Sequence, residues 1–197
     1  SRRRHTRYGT VTGVQTCALP IYEALATRLQ SELLTANLRL YTNTDPIGTE
    51  AAGALKNVMA LAAGISDGLG LGANARASLL CRGLTEIGVV LRALGGQPST
   101  LYGLAGLGDL LATATSSLSR NQRLGALLAA GLNETEALTR INATVEGPGT
   151  ARASLALGMR HGWHLPICEQ VVLLLDGKID APQAVRALME RDLRAEA

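Results

Sequence analysis

Between Glu50 and Asp67 the chain reads EAAGALKNVMALAAGISD, and the one charge between those two acids is Lys56. Ala, Gly, Leu, Val, Met and Ile surround it without a polar stripe, and a helix that is apolar all round is a buried helix. On that helix Lys56 shares a face with Ala52 and Gly53 behind it and with Ala60, Ala63 and Gly64 ahead of it. Small side chains on both sides leave room beside the ammonium for a ligand. Lysines beside apolar residues ordinarily snorkel to water along their own methylene stems. With no polar face to reach, the alternative is a lysine held in a cavity, where desolvation lets an amine trade protons near neutral pH. Asn57 follows directly and could orient a ligand from the flank of the same helix.

Ser119-Arg120-Asn121 is the best candidate for holding an anion. Ser119 can cap a helix, so the free N–H groups and positive end of the next turn face whatever the arginine faces. A guanidinium there offers a phosphate paired donors. Taken alone, a serine-capped helix with arginine in its first turn is more often structural. Asp109 follows the glycine-punctuated GLAGLG of residues 103–108, a setting suited to binding the hydroxyls of a small polyol, or equally to a plain helix N-cap. Glu146, in VEG, reads first as a solvated carboxylate in a turn. His5, His161 and His164 show no ligand spacing, and no metal site is expected.

The elements that must position these residues are mostly helices. Glu23 to about Thr35 reads as a short amphipathic helix and Leu38–Thr42 alternates like a strand, together resembling the last unit of an α/β domain. Asp45-Pro46 supplies an N-cap and a first-turn proline for the helix carrying Lys56. Gly68, Gly70 and Gly72 break that helix, and Asn74 can cap the next, which runs to Leu94. GLGLG is a helix-to-helix turn and not a dinucleotide fingerprint, because it follows a helix where the fingerprint needs a strand. A short helical piece follows Pro98, and Ser119 opens a helix ending at Gly131. Asn133 with Glu136 forms a capping-box-like start for a helix to about Asn142. Val145–Gly149 is a tight connection. Helices then fit Thr150–His161, Pro166–Leu175 and Asp180–Arg194. Everything after residue 45 reads as one all-α, multi-helix domain.

With 197 residues the chain can bury one good core, and with no phenylalanine and 3% aromatics that core must be built from small and branched aliphatics. The formal charge of +3 is misleading: four of the 19 basic residues lie in residues 1–22 without an acid, leaving 15 against 16 in the remainder. Nothing there suggests a nucleic-acid surface. The first 22 residues lack the unbroken apolar region of a signal peptide. Val11–Ile21, VTGVQTCALPI, looks like the conceptual translation of a sequencing-adapter oligonucleotide, so residues 1–22 are expected to be a non-native tail. Cys17 lies in that tail, Cys81 and Cys168 stand alone, and no apolar run approaches the ~20 residues that cross a bilayer, all pointing to a soluble, cytoplasmic protein.

The order of the motifs carries the strongest signal. GALKNVMALAAGISDGLGLGANAR at Gly53–Arg76, AGLGDLLAT at Ala105–Thr113, SRN at Ser119–Asn121 and VEG at Val145–Gly147 resemble the C-terminal domain of bacterial NAD(P)-dependent glycerol-3-phosphate dehydrogenases. The resemblance covers about Glu23–Arg194. It implies a 6-phosphogluconate-dehydrogenase-like helical domain at 45–197 that supplies most of the substrate site. Residues 23–44 would be the end of a Rossmann domain, whose main part, with its glycine fingerprint and a second substrate-binding lysine, is absent. The implied reaction interconverts dihydroxyacetone phosphate and sn-glycerol 3-phosphate for glycerophospholipid synthesis, with NAD or NADP bound mainly by the Rossmann half. This chain by itself is expected to be inactive, and the resemblance leaves a homodimer open.

By the same resemblance Lys56 matches the catalytic proton donor or acceptor, and Lys56, Asp109, Thr113, Ser119, Arg120 and Asn121 match substrate-contacting positions. Arg120, Thr144 and Glu146 match cofactor-contacting positions. Pro148-Gly149 departs from the family's pattern of an aromatic or aliphatic residue followed by arginine, which bears on the loop beside Glu146. Two alternatives stay open: a related Rossmann-plus-helical reductase of a non-phosphorylated keto or hydroxy acid, which Ser119-Arg120-Asn121 argues against, and a non-catalytic helical interaction module, which leaves a lone lysine in a buried helix unexplained.

Overall fold

A computed structural model describes residues 17–18, as backbone only, and 22–190. The expectations for His5, for most of Val11–Ile21 and for a helix reaching Arg194 therefore lie outside the described residues. The chain divides into two compact units, with the division between Pro46 and Ile47.

In the first unit β1 (Cys17–Ala18) pairs in parallel with β2 (Tyr41–Thr42), and α1 spans Glu23–Glu32. Both α1 and the following strand are shorter than their patterns suggest. After α1 the chain reverses through an antiparallel bridge between Thr35 and Leu38, where Thr35 Oγ1 accepts the Asn37 N–H. Gln30 Nε2 then donates to the Leu40 carbonyl at 2.8 Å, so that carbonyl bonds a side chain instead. Regular pairing begins only at Tyr41.

The second unit is built around α2 (Pro46–Gly68), in which every residue from Asn57 to Ser66 is buried. No face of that stretch meets water, as its composition requires. Gly70 (φ +69°) and Gly72 (φ +84°) turn the chain into α3 (Gly72–Ala93), so GLGLG is a helix-to-helix turn. Asn74 sits inside the first turn of α3 and is not its cap; two glycines able to adopt left-handed backbone make the start without one. Past α4 (Pro98–Tyr102) comes a π-helical turn, Leu104–Gly108, in which the Gly108 N–H donates to the Gly103 carbonyl at 3.1 Å. It runs straight into α5 (Asp109–Ala114). A Cβ at Gly106 would strike the backbone of Leu101, which explains the glycine there.

Ser119 caps α6 (Arg120–Ala129) by accepting the Gln122 N–H, and Gly131 (φ +92°) ends the turn that follows. The capping box of Asn133 and Glu136 forms as its sequence suggests at the start of α7 (Glu134–Ile141). Next, α8 (Gly147–His161) begins three residues before the expected Thr150, because Pro148 sits in its first turn, where a missing N–H costs nothing. A second capping box, of Asp180 and Gln183, opens α10 (Ala181–Met189) after α9 (Pro166–Leu175).

Two polar devices hold the outer helices. Glu86, only 4% exposed on α3, accepts the N–H groups of Ile167 and Cys168 at 2.5 and 3.3 Å and so caps α9 from another helix. Burial, reinforced by the nearby Glu86 charge, pushes the Cys168 thiol well above its ordinary range. At the surface Arg152 on α8 pairs with Glu134 at 2.6 Å and Asp176 at 2.9 Å, bracing α7, α8 and the end of α9. Its hydrogen bond to Glu134 raises the guanidinium's affinity for its proton, and the bond from Arg152 holds the Asp176 carboxyl below its usual value. Among the described residues no helix is long and apolar enough to cross a membrane.

Candidate active site

Lys56 lies at the border between the covered and uncovered halves of α2, where its side chain keeps 21% of its surface. Its Nζ donates to Asp109 Oδ2, 53 residues away, and Asp109 is 30% exposed at the start of α5. Thr113 Oγ1, one turn along α5, donates to the other oxygen of Asp109 at 3.4 Å. Both carboxylate oxygens are thus engaged, and Asp109 is no helix cap, since the π-helical turn already carries the backbone into α5. The lysine is therefore neither snorkelled into open water nor alone in a dry cavity. It is a partly exposed ion pair at a helix face.

The room expected beside it exists on one side only. Gly53 is half-exposed, and a Cβ built there would meet nothing within 4 Å. Ahead of Lys56, Ala60 and Ala63 are fully buried, and a Cβ at Gly64 would collide with the backbone of Gln122. Those small residues admit α6, not a ligand.

The close crossing of α2 and α6 brings a second set of residues together. Asn57 and Asn121 are each 7% exposed. Asn121 Nδ2 donates to Asn57 Oδ1 at 2.9 Å, Asn57 Nδ2 donates to Glu146 Oε2 at 3.1 Å, and the Gly147 N–H donates to Asn121 Oδ1 at 2.9 Å. Since Glu146 and Gly147 are adjacent in the chain, these bonds close a ring joining α2, α6 and the start of α8. A Cβ at Gly147 would strike Asn121 Oδ1, so glycine is what lets the ring close. Pro148 is buried in the first turn of α8 and Gly149 faces open space, so the VEGPG loop is organised around Glu146 by these bonds.

Lys56 precedes Asn57 and Arg120 precedes Asn121, so the ring ties the two cations to a common base. Arg120 is half-buried in the first turn of α6, and among the described residues its guanidinium has no ion-pair or hydrogen-bond partner. Ser119 is occupied as the cap of α6. Glu146 is exposed apart from its bond to Asn57, and Thr144, two residues earlier, is exposed and outside the ring. Of the residues singled out from sequence, Lys56, Asp109 and Thr113 thus form one cluster, Asn121 and Glu146 join Asn57 in a second, and Thr144 belongs to neither. His161 stacks on Trp163, with ring centroids 5.0 Å apart at the end of α8.

An all-helical domain in which a lysine of one helix pairs with an aspartate of another has counterparts among known proteins. The sequence profile described as "NAD-dependent glycerol-3-phosphate dehydrogenase C-terminus" matches residues 45–186, and the chain belongs to that family. It is 59% identical over 174 residues to the glycerol-3-phosphate dehydrogenase [NAD(P)+] of Synechococcus sp. (strain RCC307), across 88% of this chain and 58% of that protein. It is 50% identical, across 88% and 55% respectively, to the one from Synechocystis sp. (strain ATCC 27184 / PCC 6803 / Kazusa). The crystal structure of glycerol-3-phosphate dehydrogenase from Coxiella burnetii superposes with a TM-score of 0.82 at 43% identity, covering 87% of this chain and 53% of that one. The chain spans a little over half the length of the curated relatives it matches.

Proposed function

We propose that this chain is the substrate-binding and catalytic half of an NAD(P)-dependent sn-glycerol-3-phosphate dehydrogenase. It would interconvert dihydroxyacetone phosphate and sn-glycerol 3-phosphate for glycerophospholipid synthesis in the cytoplasm. The observation that carries this reading is the Lys56–Asp109 pair on a helix whose next residue, Asn57, bonds Asn121, the neighbour of an arginine with no partner of its own among the described residues. In this reading the helical part, residues 45–197, is of the 6-phosphogluconate-dehydrogenase-like kind, residues 23–44 end a Rossmann domain, and residues 1–22 are foreign to the protein.

The residues present fit a nicotinamide dinucleotide on the rim of such a site. One oxygen of Glu146 is used by Asn57, which leaves the other to accept from a ribose hydroxyl or a carboxamide, and Arg120 can meet a phosphate. When bound, the nicotinamide supplies or takes up the hydride.

As the substrate carbonyl is reduced, negative charge develops on its oxygen, and the Lys56 ammonium stabilises that charge and delivers the proton that makes the alcohol. An ammonium has three donors, so Nζ can keep its bond to Asp109 while offering another to the substrate. Asp109, steadied by Thr113, aims the ammonium and can accept from a substrate hydroxyl. In the oxidation direction neutral Lys56 removes the hydroxyl proton. Arg120 and the N-terminal end of α6 hold the phosphate, and that remote binding energy fixes the reacting carbon.

The test is steady-state kinetics on the full-length protein that carries this domain. Lys56→Ala is expected to lower kcat by roughly 100- to 10,000-fold, the range for a lost general acid or base. Arg120→Ala is expected to raise KM for glycerol 3-phosphate by roughly 10- to 100-fold, as the loss of charge-assisted hydrogen bonds implies. Unchanged turnover for Lys56→Ala, or equal activity on a hydroxy acid lacking phosphate, would overturn the assignment.

A further inference from the structure

We infer that Asn57 is a positioning residue whose carboxamide couples the first turn of α6, which carries Arg120, to Glu146 through a hydrogen-bond chain of fixed polarity. The inference rests on the reading of Lys56 and Arg120 as parts of one site. The direction of the chain follows from its two ends. The Gly147 backbone N–H can only donate, so Asn121 must turn its oxygen toward Gly147 and its nitrogen toward Asn57. Asn57 then accepts on its oxygen, and its nitrogen must point at Glu146, an ionised carboxylate that can only accept. Two amides that could each have been flipped are thereby locked by an obligatory donor at one end and an obligatory acceptor at the other. Both are buried, where a reversed amide would leave unmatched groups.

One charged side chain is held by this lock, and two more stand next to it in sequence. Lys56 and Arg120 are the chain neighbours of the two amides, and Glu146 is held directly. Glu146 is the exposed member, so a ligand group that engages its carboxylate bears on bonds that run through Asn57 to Asn121, in the first turn of α6. The chain therefore links whatever occupies the Glu146 edge to the start of α6, where Arg120 stands, and Asn57, whose Nδ2 also reaches the Gly53 carbonyl at 3.5 Å, connects Asn121 to Glu146.

The test reverses the polarity of one bond. Asn57→Asp keeps the size of the side chain and its acceptor for Asn121, but it loses the donor to Glu146 and sets two carboxylates against each other. Glu146→Gln added to it restores a donor, now from residue 146 to residue 57. In the full-length protein Asn57→Asp is expected to lower kcat/KM for glycerol 3-phosphate at least 30-fold. Part of that loss should return as the pH is lowered and a proton refills the missing donor position. The double variant is expected to recover at least tenfold of the loss and to lose the added pH dependence. If Asn57→Asp does not fold, the double variant alone must fold and turn over glycerol 3-phosphate. A double variant no better than the single one, or a single variant indistinguishable from the parent, would overturn the inference. If instead the parent fails to oxidise glycerol 3-phosphate, the proposed function falls first.

Discussion

The two halves of α2 use the same residue type for opposite ends. Up to Lys56 the helix has a face left bare, and Gly53 on it touches nothing that a methyl group would disturb. From Asn57 to Ser66 the helix is covered on every side. In this half Gly64 and Gly68 lie against α6, whose own Gly125 would in turn strike Leu61 if it had a Cβ. A glycine in a helix interior ordinarily costs about 0.5–1 kcal/mol relative to alanine. In the second half that cost is offset by backbone-to-backbone contact, which draws α6 close enough for Asn121 to bond Asn57. At Gly53 no contact offsets it, as would be expected of a surface kept clear near the proposed catalytic lysine. One helix is a packing element at one end and, in the proposed function, the floor of a site at the other.

Substitutions can break or sharpen this contrast. The largest effect is expected for Gly64→Ala, whose methyl would meet the Gln122 backbone; overpacking of this kind costs about 1–3 kcal/mol, read as a lower denaturation midpoint at unchanged m-value. Gly53→Ala should do the reverse and stabilise the fold by about 0.5–1 kcal/mol. If it destabilises instead, that face is packed against something and the contrast fails. Lys56→Met should move stability by less than about 1 kcal/mol, since the pair it breaks is partly exposed, although the same position is expected to govern turnover. Thermal melts of the three variants side by side would show whether packing and chemistry separate along the helix.

The smallest effect belongs to a brace far in sequence from α2. Arg152 holds the Asp176 carboxyl below its usual value, so its contribution is present above the unfolded carboxylate's pKa of about 4 and is lost as the pH falls through the lower folded value. Parent and Arg152→Ala should therefore converge in stability as the pH falls below about 4, the unfolded carboxylate's value. A gap that persists in acid would mean that Arg152 acts through packing rather than charge.

What could be read from the chain, and what could not, divides by the range of the interaction. Ser119, Asn133 and Asp180 announce their helices because a cap is settled within four residues, and all three form. Gly147-Pro148-Gly149 reads as a turn yet opens α8, and its first N–H bonds a side chain 26 residues upstream. Glu86 carries no local sign that it will cap α9, since its partners lie 81 and 82 residues away. Asn74 looks like a cap and is not one, because Gly70 and Gly72 make the turn with their own backbone freedom.

By itself the sequence determined that Lys56 stands in an otherwise apolar helix, that helices fill the chain beyond residue 45, and that their motifs occur in the order of one enzyme family. These follow from composition, period and capping, all of which act between near neighbours. Only the tertiary structure decided that the ammonium is paired with Asp109, that the small residues ahead of it receive α6 and not a ligand, and that two asparagines 64 residues apart bond each other. Those outcomes depend on which helix surfaces approach closely enough for backbones to touch, and no local pattern encodes that distance.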